Sequence, residues 1–150
     1  MKISVGADHA GYALKLKILD LLKKRGCTVV DLGTHSPDSC DYPGYAEAVG
    51  KSVASGETDL GVLACGTGIG MLIVANKIPG VRAALCYNQK VAVETRQHND
   101  SNVIVLPGRE FPVEENLKIL EAWLGTSFTN EERHARRVRM IREIEKKWLR

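Results

Sequence analysis

The run Leu60-Gly61-Val62-Leu63-Ala64-Cys65-Gly66-Thr67-Gly68-Ile69-Gly70-Met71 limits the fold more than any other part of the chain. Its first five residues carry no charge and read as a strand covered on both faces of a parallel sheet. The pattern then breaks into three alternating glycines, which let the backbone approach a ligand closely and turn amide N–H groups inward. Met71 to Lys77 reads as a helix whose first turn faces the same spot. Strand, glycine loop and helix N-terminus together suit negative charge. A thiol, Cys65, and a hydroxyl, Thr67, sit inside that site.

Around this stretch, strands and helices alternate. Ile3–Ala7 reads as the first strand, and Tyr12–Arg25 as an amphipathic helix with Leu14, Ile18, Leu21 and Leu22 on one face and Gly26 as its stop. Cys27–Leu32 is the second strand, followed by a polar loop and a helix from about Tyr45 to Ser55. After the third strand, Leu60–Ala64, come the strands Val81–Cys86 and Val103–Leu106, separated by a helix that Asn88 caps and that runs to Gln97. Pro112–Trp123 is a further helix, and Asn130–Leu149 a long basic one. This alternation predicts one α/β domain over residues 1–150, a Rossmann-like five-stranded parallel sheet with helices on both faces. The expected strand order is 2-1-3-4-5, with the long C-terminal helix, about 130–149, as an appendage. Ligands then bind outside the carboxyl ends of strands one and three, where Asp8-His9-Ala10-Gly11 meets the Cys65–Gly70 loop.

Bulk properties exclude several classes. A net charge of +3 over 150 residues is too small to argue for nucleic acid. The N-terminus opens a strand without a basic-then-apolar leader, and no apolar run suffices to cross a bilayer; the expected location is cytoplasmic, with no membrane partner. Cys27, Cys40, Cys65 and Cys86 show no Cys-x-x-Cys spacing, so neither a metal site nor a disulfide framework is expected. No Lys-Ser or Lys-Thr follows the glycines, which excludes a Walker loop, and their strict alternation departs from the dinucleotide fingerprint. A receiver domain needs a second acid after the third strand, where Cys65 and Gly66 stand.

The candidate chemistry therefore centres on Cys65. A free thiol has a pKa near about 8.5, and a helix N-terminus is expected to lower it, making Cys65 a base or a nucleophile. Asp8 suits a cap on the first helix, and His9 a packed loop residue. His98 lies between the fourth helix and the fifth strand, on the opposite sheet edge from Cys65. A catalytic His98 would therefore have to serve a second subunit. On the last helix, Arg133 and Arg137 lie one turn apart, as two guanidiniums gripping one phosphate would. The charges around them lack interleaved aromatic residues, so nucleic acid is not the expected partner.

Six segments give the chain a resemblance to a known family: Asp8-His9-Ala10-Gly11, Asp41-Tyr42-Pro43, Cys65–Gly70, Asn76-Lys77 with Gly80-Val81-Arg82-Ala83, Arg96-Gln97-His98-Asn99-Asp100, and Glu132-Arg133-His134. Together and in this order they resemble the type B ribose-5-phosphate isomerases, which include subunits of galactose-6-phosphate isomerase. The resemblance implies interconversion of ribose 5-phosphate and ribulose 5-phosphate without metal or organic cofactor. Cys65 would be the base. Some members place a glutamate after the glycine loop instead, and this chain has Met71 there. Thr67 and the amides of Gly66, Gly68, Ile69 and Gly70 would hold the enediolate, and His98, helped by Asp8, would open the sugar ring. Tyr42 and Asn99 would meet sugar hydroxyls, while His9, Arg109, Arg133 and Arg137 would meet phosphate or sugar. The implied assembly is a homodimer or homotetramer with shared sites. The alternatives are an isomerase of galactose 6-phosphate or allose 6-phosphate, and a non-enzymatic nucleotide-binding domain.

Overall fold

The computed structural model describes residues 1–148. Strands β1 (Lys2–Ala7), β2 (Thr28–Asp31), β3 (Leu60–Cys65), β4 (Ala83–Leu85) and β5 (Val103–Pro107) form a parallel sheet. Helices α1 (Tyr12–Lys24), α2 (Tyr42–Ala54), α3 (Ile69–Ala75), α4 (Gln89–Asn99) and α5 (Val113–Leu124) connect and follow the strands, and α6 (Glu132–Trp148) ends the described chain. Leu149, assigned to the last helix on sequence grounds, lies outside the described residues. No helix of the described residues is long and apolar enough to cross a membrane.

The strand order is β2-β1-β3-β5-β4, which corrects the expected 2-1-3-4-5 at its last two positions. Burial explains the exchange. Every residue of β5 is buried, so this strand takes a central place, whereas the three residues of β4 are only partly buried and suit an edge. The consequence is local to the site: β5 pairs directly with β3, Cys65 opposite Pro107, so the loop after β5 joins the glycine loop.

Alternate residues of each strand point to opposite faces. On one face Val5, Val62, Ile104 and Leu106 pack with Leu14, Ile18 and Leu22 of α1 and with Leu120 and Trp123 of α5. On the other, Leu63, Val103 and Val105 pack with Val49 and Val53 of α2 and with Met71 and Ala75 of α3. One buried charge supports the end of β1. The Lys15 ammonium, 1% exposed, donates to Asp31 Oδ1 at 2.6 Å and to the Thr34 carbonyl at 2.5 Å. Thr34 N–H in turn donates to the Ala7 carbonyl at 2.7 Å, immediately before Asp8.

Candidate active site

Parallel strands send all their carboxyl ends to one side, and there β1 and β3 deliver Asp8 and Cys65 to adjacent loops. The loops touch because Gly11 has no side chain: a Cβ there would lie 2.1 Å from the Ala64 carbonyl oxygen. The glycine loop turns at Gly68, whose φ of +83° is left-handed and costs a residue without Cβ little. Loop β5–α5 closes the third side, with Gly108 N–H donating to the Cys65 carbonyl at 2.8 Å and Arg109 N–H to the Gly66 carbonyl at 3.0 Å.

The resulting cleft encloses about 250 Å³, and Asp8, His9, Tyr42, Cys65, Thr67 and Arg109 face it, with Gly66, Gly70 and Ala10 completing its wall. Within it, Asp8 is 7% exposed and Oδ1 accepts from the Gly11 N–H at 2.9 Å, holding the turn before α1. His9 Nδ1 accepts from the Cys40 N–H at 3.2 Å, so a neutral ring keeps its proton on Nε2. Gly68 N–H donates to Cys65 Sγ at 3.2 Å, and Ile69 N–H to Thr67 Oγ1 at 3.4 Å. Gly68 and Ile69 therefore act here on the site's own thiol and hydroxyl; neither lines the cleft.

The expected depression of the Cys65 pKa is corrected. Burial pushes the thiol above its ordinary value, and the Asp8 charge adds to that; N–H groups of Gly68, Met71 and Thr67 pull it down by less. The amides are where the glycine pattern placed them, but desolvation outweighs them. Thiolate is the alkylated species. Iodoacetamide labelling of Cys65, followed by peptide mass spectrometry, is accordingly expected to keep accelerating with pH beyond the range in which an ordinary thiol has reached its plateau. A plateau near neutrality would show the opposite balance.

His98, Asn99, Arg133 and Arg137 do not join this cleft. His98 and Asn99 end α4 before β5, and the four steps of β5 separate the sheet edges by about 13 Å. His98 instead stacks on His134, ring centroids 4.4 Å apart and planes 12° from parallel. His134 is 4% exposed and its Nε2 has no hydrogen-bond partner, and burial holds its pKa below the usual histidine value. Arg133 and Arg137 are exposed on the same helix, α6. The motif Glu132-Arg133-His134 pointed to this helix without assigning His134 a part. The Cys40 amide carried no sequence signal at all, because any residue supplies one.

A parallel α/β sheet with a thiol, a carboxylate, an imidazole and a guanidinium around a glycine loop at its carboxyl edge defines a class: a doubly wound protein whose cleft lies where such folds take small ligands. Residues 3–141 match the Ribose/Galactose Isomerase family, and the chain belongs to it. The chain is 44% identical over 146 residues to ribose-5-phosphate isomerase B of Escherichia coli, covering 97% of each chain. It is similar to the structure of Clostridium thermocellum ribose-5-phosphate isomerase B, with a TM-score of 0.96, 49% identity and 99% of both chains covered. The Mycoplasma genitalium ribose-5-phosphate isomerase B structure with bound ribulose-5-phosphate matches at a TM-score of 0.93 and 41% identity, covering 97% of this chain and 96% of that one.

Proposed function

We propose that the protein is a cytoplasmic aldose–ketose isomerase that interconverts ribose 5-phosphate and ribulose 5-phosphate. The observation that carries this reading is the Cys65 thiol at the wall of a cleft shared with Asp8, Thr67, His9 and Arg109. Removing a proton from carbon beside a carbonyl leaves negative charge on oxygen, which needs donors fixed in advance. Thr67 and the remaining loop amides supply them, and His9 and Arg109 take the phosphate end or sugar hydroxyls beside Tyr42. Cys65 is the base. Its raised pKa makes the thiolate scarce at neutral pH but more basic once formed, and these effects offset one another in part. The chemistry is proton transfer throughout and calls for no cofactor.

The proposed site is shared between two copies, in a homodimer or a pair of dimers. About 250 Å³ is below the usual size of a complete small-molecule pocket, roughly 300–1,000 Å³. Tyr42 on the cleft wall and Ile69 and Ile73 on α3 expose apolar surface, and so do Met140, Ile144 and Trp148 on α6, the last two beside Arg82 and Asn99. A second copy seated there would cover these groups and bring His98, Asn99, Arg133 and Arg137 to the cleft. His98 then opens the ring and the two arginines bind phosphate.

Initial rates with ribose 5-phosphate, allose 6-phosphate and galactose 6-phosphate test the substrate. The expected result is ketose formation fastest, by kcat/KM, from the pentose. A preference for either hexose phosphate would replace the pentose assignment, and no ketose from any of them, with nucleotide bound instead, would remove the isomerase.

A further inference from the structure

The segment Gly80-Val81-Arg82-Ala83 has no part in the chemistry above, yet its arginine makes an unusual set of bonds. Arg82 Nε donates to the Asn99 carbonyl at 3.2 Å and to the Asp100 carbonyl at 2.9 Å, and Nη2 donates to Asp100 Oδ2 at 2.9 Å. Its side chain is 12% exposed. The main chain is locked to the same place: Arg82 N–H donates to Asn102 Oδ1 at 2.7 Å, and Asn102 N–H returns a bond to the Arg82 carbonyl at 3.1 Å. Between these contacts Asp100 has φ +49°, a left-handed conformation uncommon for a residue with a side chain. Arg96 also donates to the Ser101 carbonyl and lies 3.6 Å from Asp100 Oδ1.

The atoms gripped are informative. Arg82 takes the carbonyls of the two residues that follow His98, where α4 runs out of intrahelical donors. A planar guanidinium reaches two carbonyls and one carboxylate from one position, which a lysine ammonium on a flexible stem does not reproduce. His98 itself is held on its ring face by His134. The backbone around it is held by side chains on both sides: the Thr129 hydroxyl donates to the Gln97 carbonyl at 3.0 Å, and Arg82 and Arg96 bond residues 99–101. Uncommon backbone geometry held by several bonds next to a reacting group is where positioning is to be sought.

We propose that Arg82 is a positioning residue for ring opening: its fork on Asn99 and Asp100 fixes the end of α4 that presents His98 and Asn99 to sugar held in a second copy's cleft. The inference rests on the reading of His98 as the ring-opening group. Arg82 touches no substrate in this scheme and acts through the chain it holds.

Two measurements on the assembled enzyme separate this role from a general structural one. A 2-ketopentose esterified at its terminal oxygen cannot close a five-membered ring. Exchange of its carbon-1 proton with D2O therefore needs the base and no ring opening: the Cys65 thiolate takes the proton, the enediolate forms, the thiol trades that proton for a deuteron of D2O, and the deuteron returns to carbon 1. Isomerisation of ribose 5-phosphate needs ring opening as well. For Arg82→Met, turnover of the aldose is expected to fall by about 10²-fold, with exchange at saturating ribulose 5-phosphate within about threefold of wild type. Arg82→Lys, which keeps the charge facing Asp100 but loses the fork, is expected to fall between; it carries the same comparison where Arg82→Met does not fold. His98→Asn serves as the reference and is expected to show the same split. Parallel loss of turnover and exchange in folded Arg82 variants, or loss of neither, overturns the proposal. Wild-type turnover in His98→Asn overturns instead the reading beneath it, whatever Arg82 does.

Discussion

Cys65→Ala is expected to lower the turnover of ribose 5-phosphate by about 10²–10⁴-fold, the range a positioned acid–base group contributes. The fold is expected to survive, because the substitution removes one sulfur and leaves the backbone bonds of the strand end, Gly108 N–H to the Cys65 carbonyl and Asp8 N–H to the Ala64 carbonyl. Cys65→Ser sharpens the test. A serine hydroxyl can accept from the Gly68 N–H as the sulfur does at 3.2 Å, yet its proton is far too tightly held for it to act as a base. Both variants should therefore bind sugar phosphate, unfold near the wild-type temperature, and fail to exchange the carbon-1 proton of the ketose. Exchange at the wild-type rate in Cys65→Ala would move the base elsewhere, with Asp8, 7% exposed on the same cleft, the next group to examine.

That Asp8 lies beside the Cys65 loop is legible in the sequence, for a physical reason. Fully apolar runs such as Leu60–Ala64 and Val103–Leu106, alternating with amphipathic helices, fit covered parallel strands, and parallel strands gather the loops after them on one side. Asp8 and Cys65 had to meet. The exchange of the last two strands was not legible in this way: the expected strand Val81–Cys86 shrinks to Ala83-Ala84-Leu85, half-covered, while Val103–Pro107 is buried throughout, and that burial exists only once the sheet is assembled. Order along the chain is a weaker guide than the need to cover an apolar strand. That difference is what brings Arg109 to the Cys65 loop.

The thiol's basicity was not readable in the same way. Glycines in alternation reveal that amides will face Cys65, but the opposing cost depends on how tightly three loops close around it, and the close approach of Gly11 to Ala64 settles that only in three dimensions. The clamp on the end of α4 was hidden for another reason. Two of the three acceptors of Arg82 are backbone carbonyls, which every residue carries, and its pairing with the Asp100 carboxylate appears only when β4 and the end of α4 come together.

Mixing Cys65→Ala with His98→Ala is expected to restore activity that neither variant has alone. In one chain the two residues end on opposite edges of the sheet, so each complete site would draw the sulfur from one copy and the imidazole from the other. A mixed dimer then holds one site with both groups intact and one lacking both. Random exchange puts about half the dimers in the mixed form, each with one working site of two, giving about one quarter of wild-type activity. Subunit exchange must be verified first, by differently tagged copies captured together after mild denaturation and refolding. Recovery toward that fraction requires the shared site, because two variants whose groups met within one chain could never complement. Verified mixed dimers without recovery would place His98 outside the reaction or return it to its own chain's cleft. The stacked His134 and the Arg82 fork both keep it at the far edge, and that geometry favours recovery.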